Sequence, residues 1–355
     1  MSSISNRKAD HIQLCIDGDV GFRRKNNLFE DVELIHDALP ELSLSEIDLS
    51  CNFAGKKLQA PLIIAAMTGG VTAAEKINKD LAQIAEEFGI GFAFGSQRPL
   101  LSKGIKEGYF VRDVAPNALL LGNIGIVQAA KSPTSQLEEL IQFSGTDALC
   151  VHLNPAMEVV QPEGDQDFRH GLETISRLLE ELSVPIIVKE TGCGISNNVG
   201  QRIKKLGVKW VDVSGAGGTS WVAVETHRAQ DQQQNVGKTF WDWGIPTAAS
   251  IVGLHDLNMG VCATGGVSNG LMIAKALALG AKCGGIARAF LQAHAEGGYN
   301  GARQRVAQVI REIQIALLLT GSKDISTLQQ KNVILGPQLL HWIPKSSSLH
   351  NRNGL

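Results

Sequence analysis

The segment Val151-His-Leu-Asn-Pro-Ala-Met-Glu-Val-Val-Gln-Pro-Glu-Gly-Asp165 gathers an imidazole, an amide and carboxylates at the end of an apolar run. Asp147-Ala-Leu-Cys-Val-His-Leu-Asn154 alternates with period two. Leu149, Val151 and Leu153 share one face; Ala148, Cys150, His152 and Asn154 share the other. A strand whose second face turns from small and apolar to His and Asn presents polar groups at one rim, although an edge strand entering a solvated turn reads the same way. Lys189 ends another apolar run, Ile186-Ile-Val-Lys-Glu190. Its ammonium is expected at the rim, where it could form a Schiff base, hold a phosphate, stabilise an anionic cofactor or pair with Glu190. Glycine clusters stand in Ser214-Gly-Ala-Gly-Gly-Thr219, Thr264-Gly-Gly266 and Gly284-Gly-Ile-Ala-Arg288. Glycine lets backbone N–H groups approach an anion, and a helix start adds partial positive charge. These clusters are expected to bind phosphate; tight turns are the plainer alternative.

Such residues need a scaffold that brings strand ends together. From residue 60 short apolar strands alternate with amphipathic helices. Strands are expected at Pro61–Ala66, Gly89–Gly95, Ala118–Gly122, Ala148–Leu153, Pro185–Glu190, Trp210–Ser214, Val261–Thr264 and Cys283–Ala287. Helices are expected at Ala73–Phe88, Thr134–Ser144, Gly171–Leu182, Asn197–Leu206, Thr247–Leu257 and Asn269–Leu279. Eight such strands imply an α/β fold with a parallel sheet, and eight closes a (β/α)₈ TIM barrel, with an open doubly wound sheet as the alternative. One domain is expected over 1–355: an N-terminal arm and strands over 1–60, the barrel over 61–298, and a C-terminal helix and tail over 299–355, the helix at Val306–Leu319. The polar, Gln-rich stretch Val222–Gly244 reads as a long loop, a lid or disordered. Trp221, Trp241 and Trp243 flank or lie in it, to cover an apolar ligand or simply to pack.

In a barrel the strand ends form the active site. They read Met67-Thr-Gly-Gly70, Ser96-Gln-Arg98, Asn123-Ile-Gly125, His152-Leu-Asn154, Lys189-Glu190 and then the glycine clusters, polar or glycine-rich nearly throughout. A formal net charge of -2 argues against a nucleic-acid partner bound through a global basic field. Six cysteines without a CxxC suggest neither a disulfide framework nor a zinc site, as in a reducing cytosol. The polar N-terminus lacks a signal-peptide core, and no apolar run approaches a membrane span. A cytoplasmic protein is expected.

Taken in order, Arg7-Lys-x-Asp-His11, Met67-Thr-Gly-Gly70, Ser96-Gln-Arg98, Asn123-x-Gly125, His152-x-Asn154, Gln161-Pro-Glu-Gly-Asp165, Val188-Lys-Glu190, Gly217-Gly-Thr-Ser-Trp221, Trp243-Gly-Ile-Pro246 and Thr264-Gly-Gly266 resemble the type II isopentenyl diphosphate isomerases. These are FMN-dependent (β/α)₈ barrels, and the resemblance covers almost the whole chain. It implies FMN at the barrel mouth, its ring against Ala66, Met67 and Thr68, with Ser96, Asn123, Lys189 and Ser214 around it. Thr219, Gly265, Gly266, Ala287 and Arg288 would hold its phosphate. Arg7, Lys8, Arg98, His152, Asn154 and Gln161 would meet the substrate diphosphate, with Mg²⁺ on Glu158. The implied catalytic positions are Lys189, His152 and Met157. NADPH or NADH would prime the flavin without net consumption, and Lys189 would stabilise the anionic reduced ring. The family also implies a homo-oligomer, a tetramer or octamer.

Two positions depart from the family pattern. The family usually has glutamine, a favoured partner in proton transfer, where this chain has Met157, and a thioether handles no protons usefully. Either the flavin works alone, or Gln161 reaches in, or activity is weak or altered. The family usually has arginine where this chain has Ser268, which removes one charge from the phosphate site; Arg288 is expected to compensate. The rivals are an FMN-dependent oxidoreductase and a flavin-binding homologue that has lost isomerase activity. The hydroxy-acid oxidase type needs a His-Gly-x-Arg after a late strand, and none is present.

Overall fold

The computed structural model describes residues 4–70 and 72–352, with 4–9, 72 and 73 described through their backbone alone. Eight parallel strands close into a barrel. They are β1 Leu62–Ile64, β2 Gly91–Ala93, β3 Leu119–Gly125, β4 Ala148–Leu153, β5 Ile186–Glu190, β6 Trp210–Asp212, β7 Gly260–Ala263 and β8 Cys283–Ile286. The ring shuts where Gly284, Gly285 and Ile286 of β8 pair with Leu62, Ile63 and Ile64 of β1. Closure rules out the open doubly wound sheet. Each apolar run read as a strand forms one, and β4 has the expected bounds.

Helices Thr72–Phe88, Thr134–Ser144, Gly171–Glu181, Asn197–Lys205, Thr247–Leu254 and Gly270–Ala278 pack outside the strands. The outward residues of the strands, such as Leu120, Leu149, Val151, Val188 and Val211, meet helix residues such as Leu81, Ile84, Leu137, Ile175 and Leu178 in one core. Removing these side chains from water stabilises the fold by about 1.5–3 kcal/mol each. Helix starts are capped locally: the side chains of Ser196, Ser220 and Asn269 accept backbone N–H groups. A smaller core fills the barrel: Ile63, Ala93, Leu121, Cys150, Ile187, Cys262 and Cys283 face inward, sealed below by Phe53 and Leu58. Those two come from a hairpin of Cys51–Phe53 with Lys56–Leu58.

The ends of the chain close on each other, Val32–Leu34 pairing antiparallel with Val333–Leu335. The helical stretch Arg288–Leu319 breaks at Gly298 (φ 59°, ψ -149°) into two helices. The second contains the expected final helix Val306–Leu319 and extends it toward Gly298, while the first puts its opening turn at the barrel mouth. The region read as a long loop instead holds two helices, Trp221–Arg228 and Asp231–Phe240. Glutamine is a good helix former, and Asp231 supplies a negative charge in the first turn. Polarity concealed a helix that buries only Gly237.

Candidate active site

Strand alternation decides which side chains enter the barrel. On β4, Ala148 and Cys150 belong to the interior core while Leu149 and Val151 belong to the outer one. His152 therefore points inward, as do Asn123 on β3, Lys189 on β5 and Asp212 on β6 by the same period. His152 pairs in register with Lys189, and Lys189 with Asp212. Together with Thr264 after β7 they form a buried polar ring at the C-terminal end of the barrel. Above it opens a cleft of about 660 Å³.

Within the ring, Asn123 Nδ2 donates to the Phe94 carbonyl at 3.0 Å, which orients the amide. Its Oδ1 then accepts from His152 Nδ1 at 2.8 Å, so Nδ1 carries the hydrogen. Lys189 Nζ stands 2.9 Å from Asp212 Oδ2. Burial works against the lysine's charge, but the charge and hydrogen bond of Asp212 outweigh it and hold its pKa above the ordinary value. Asp212 Oδ1 accepts from the Thr264 hydroxyl and from the Ser214 N–H at 3.2 Å. The pairing of Lys189 with Glu190, left open by the sequence, does not occur through hydrogen bonds. Adjacent strand residues point to opposite sides, and Glu190 Oε2 accepts instead from the N–H groups of Thr191, Gly192 and Cys193.

Burial pushes the Glu190 carboxyl up from 4.5 to about 7, against those three donors and Lys189. The folded chain therefore keeps a proton that the unfolded chain releases near 4.5. Unfolding releases that proton between the two values, so this group's contribution falls as pH rises from 4.5 to about 7 and is level above. The loss amounts to about 3 kcal/mol at most. Denaturant titrations of the parent and Glu190→Gln should diverge across that window; parallel curves would contradict it.

The segment after β4 makes a short helix, Pro155–Val160. Asn154 Nδ2 donates to Glu158 Oε1 at 2.9 Å, and the Asp165 N–H donates to Oε2 at 2.9 Å. Glu158 and Gln161 are buried, while Met157 is half-buried and lines the cleft. The Met157 sulfur lies 4.0 Å from Asn154 Nδ2. Asp165 binds Gln128 Nε2 at 2.8 Å and Lys131 Nζ at 3.1 Å, with Arg98 Nη1 at 3.7 Å. Arg98 starts the helix Arg98–Lys103 and lines the cleft on that side.

Across the mouth lie the glycine loops. A Cβ on Gly218 would strike the Gly266 nitrogen, and one on Gly265 would strike the Gly215 carbonyl. Gly265 (φ +100°) and Gly266 (φ +70°) also take the left-handed region, so only glycine lets these loops stack backbone on backbone. Thr219, Gly265, Gly266, Ser268, Ala287 and Arg288 line this part of the cleft, and Ala66, Met67, Thr68, Ser96 and Ser214 line the wall between. The Thr68 hydroxyl is buried with no partner among the described residues. A backbone cradle at an uncapped helix start (the helix from Arg288 has no side-chain cap) and an orphaned donor beside it fit a phosphorylated cofactor with hydrogen-bonding ring edges. The Arg288 guanidinium is engaged elsewhere: Nε and Nη2 donate to the Cys15 and Gly18 carbonyls, each at 2.8 Å.

Those carbonyls belong to the N-terminal segment, read from sequence as an arm. Its helix, Ile4–Asp17, docks over its own barrel, and His11, Ile12 and Cys15 line the cleft. His11 Nε2 meets Glu225 Oε1 at 2.7 Å, and Arg228 Nη1 meets Glu225 Oε2 at 2.7 Å. Burial opposes the charge on Glu225, but His11 and Arg228 hold its pKa below the ordinary value. Trp221 meets the His11 ring edge-on at 5.2 Å. The side chains of Arg7 and Lys8 lie outside the described residues. Trp241 is buried and Trp243 exposed.

Sequence reasoning missed Asp212, Gln128, Thr191 and Glu225, and took Thr264 only as the start of a glycine cluster. Asp212 had a visible signal, since it occupies an inward position in the apolar run Trp210-Val-Asp-Val-Ser214. Among the described residues no group of three His, Cys, Asp or Glu side chains could hold a metal. A single buried carboxylate, Glu158, suits Mg²⁺ shared with substrate phosphates and water. No helix among the described residues is long and apolar enough to cross a membrane.

The profile of the FMN-dependent dehydrogenase family matches residues 2–107 and 122–335. The isopentenyl-diphosphate delta-isomerase of Methanothermobacter thermautotrophicus is 42% identical over 343 residues, covering 96% of each chain. That of Halobacterium salinarum is 42% identical over 354 residues, covering 97% of each. Among solved structures, a flavocytochrome b2 variant with sulfite bound superposes with a TM-score of 0.69 at 18% identity, covering 97% of this chain and 87% of that one. A lactate oxidase from Pediococcus acidilactici gives 0.66 at 15%, covering 93% and 92%. Likeness at that identity carries the fold alone. The whole-length relatives carry more: this chain belongs to the FMN-dependent dehydrogenase family and, within it, to the type II isopentenyl-diphosphate delta-isomerases.

Proposed function

We propose that this protein interconverts isopentenyl diphosphate and dimethylallyl diphosphate at reduced FMN, with Mg²⁺ on the substrate and NADPH or NADH as the priming reductant. One observation carries the reading. A single cleft is lined by stacked glycine loops after β6, β7 and β8 and by the polar side chains of Arg98, Asn123, His152 and Asn154 after β2, β3 and β4. A cofactor phosphate and a substrate diphosphate each then have a place, and the space between them is shared.

The glycine loops and the helix start at Arg288 would hold the FMN phosphate; Thr68, Ser96, Asn123, Lys189 and Ser214 would surround its ring. When bound and reduced, FMN supplies acid–base capacity for adding a proton to the terminal methylene and removing one from C2. Arg98, His152 and Asn154 would orient the diphosphate, joined by Arg7 and Lys8 from the N-terminal helix. Glu158, held by Asn154 and the Asp165 N–H, would present a carboxylate oxygen to Mg²⁺. The charge that develops at C3 is cationic, so water must be kept from it. Met157, Trp221 and the docked N-terminal helix would close the space. Arg288 would act by fastening that helix, with its backbone, more than its guanidinium, facing the phosphate. A cytoplasmic homo-oligomer, a tetramer or octamer, completes the reading.

An oxidase reading of the hydroxy-acid type lacks its His-Gly-x-Arg after a late strand, since the chain holds no such motif. The test is anaerobic: reduced holoprotein, Mg²⁺ and isopentenyl diphosphate should yield dimethylallyl diphosphate without stoichiometric loss of NADPH. Flavin retained with no product would sink the isomerase and favour a binding homologue. Met157→Gln restores a proton-handling amide beside Asn154 and should raise kcat by about tenfold, below the roughly 10²–10⁴-fold of a fully positioned acid–base group because the flavin already carries part of the proton transfer. A lower kcat would mean that the site is built around the thioether.

A further inference from the structure

Lys189 and Asp212 face each other as register partners on β5 and β6, both buried. The carboxylate is fixed on both oxygens: Oδ2 takes the ammonium, while Oδ1 takes the Thr264 hydroxyl and the Ser214 N–H. Three consecutive strand ends therefore hold one anion beneath the cleft floor. The groups that raise the Lys189 pKa are Asp212 on β6, Cys150 on β4 and Cys262 on β7; Glu190 stands next to it in the chain and His152 faces it as register partner on β4. Burial pushes the Cys150 thiol well above its ordinary pKa. At Cys262 a hydrogen bond with Cys283 pulls the other way, but burial and the Asp212 charge prevail. Both thiols stay neutral, so Asp212 is the only anion of the three.

A buried ammonium without such a partner sheds its proton near neutral pH. We propose that Asp212 is a positioning residue that keeps Lys189 protonated in the oxidised holoprotein, so that reduction of the bound flavin takes one proton from solvent instead of two. The inference rests on the flavin reading above. Two electrons and one proton convert the oxidised ring to its singly negative reduced form, and Lys189 already balances that charge. Without Asp212 the lysine is neutral before reduction, and the new negative charge brings a second proton to Nζ. With the pair intact, priming by a nicotinamide dinucleotide needs no proton from water: the hydride supplies both electrons and the single proton.

Spectroelectrochemical titration of the FMN-loaded protein above neutral pH tests this, since the slope of midpoint potential against pH counts protons per two electrons. The parent should take up one. Asp212→Asn should take up two, doubling the slope, and Asp212→Glu, which keeps the charge, should return to one. One proton in Asp212→Asn, or two in Asp212→Glu or the parent, overturns the assignment. If Asp212→Asn retains no flavin, the double variant Asp212→Asn/Lys189→Met decides. Recovered flavin binding supports a stranded buried cation as the cause, and continued loss overturns it. A parent protein that never takes up FMN would instead sink the flavin reading.

Discussion

Lys189→Ala should lower kcat for isomerisation by about 10²–10³-fold, the scale of removing one preorganised charge stabiliser from a dry site. The ammonium lines the cleft and is the inward cation of the polar ring, held at 2.9 Å by Asp212. Its field acts where water cannot screen it. The truncation also leaves Asp212 without its counter-ion, although the Thr264 hydroxyl and Ser214 N–H still bond it. A stability loss of about 3–5 kcal/mol is expected from breaking such a pair. Steady-state kinetics at saturating substrate, FMN and Mg²⁺ separate the two effects, because only the folded, coloured fraction is scored. A loss below tenfold in that fraction would remove Lys189 from the chemistry.

Glu158→Gln should reduce activity by at least about 10²-fold at ordinary Mg²⁺ while leaving the flavin spectrum unchanged. The magnitude follows from the 10–100-fold cost of losing even a residue that only supports a metal ligand. Geometry sharpens it. Glu158 accepts from the Asn154 amide on one oxygen and the Asp165 N–H on the other. A glutamine accepts at one position only, so its amide nitrogen would face a donor. The variant thus loses the charge that would face the proposed cation and loosens the turn that carries Asp165 toward Arg98. Glu158→Asp keeps the charge and should recover part of the rate as Mg²⁺ is raised. Full activity in Glu158→Gln would refute the metal role, and loss of flavin would show that the two halves of the cleft are not separate.

The strands were legible because an all-parallel barrel buries both faces, and a buried strand must be apolar whichever neighbour it has. The runs around Ile63, Leu120, Val151 and Ile187 therefore announced themselves. The glycine loops were legible for a similar reason: stacked backbones at Gly218 and Gly266 admit no Cβ. The helices at 221–240 were not, since their polar faces carry no strong apolar period and their contacts are tertiary. The N-terminal helix was missed likewise. What seats it is Arg288 on its last carbonyls and His11 on Glu225, more than two hundred residues away.

The sequence by itself determined the barrel, the rim at which chemistry is possible, and the family. It also marked Met157 and Ser268 as the two positions that depart from the family pattern it resembles. The tertiary structure decided which polar groups meet. Register set Lys189 opposite Asp212 and His152 beside Lys189. A run of residues specifies which face a side chain takes, because alternation is local. It does not specify what lies across from that side chain, because the neighbour comes from another strand and its offset is fixed only when the barrel closes.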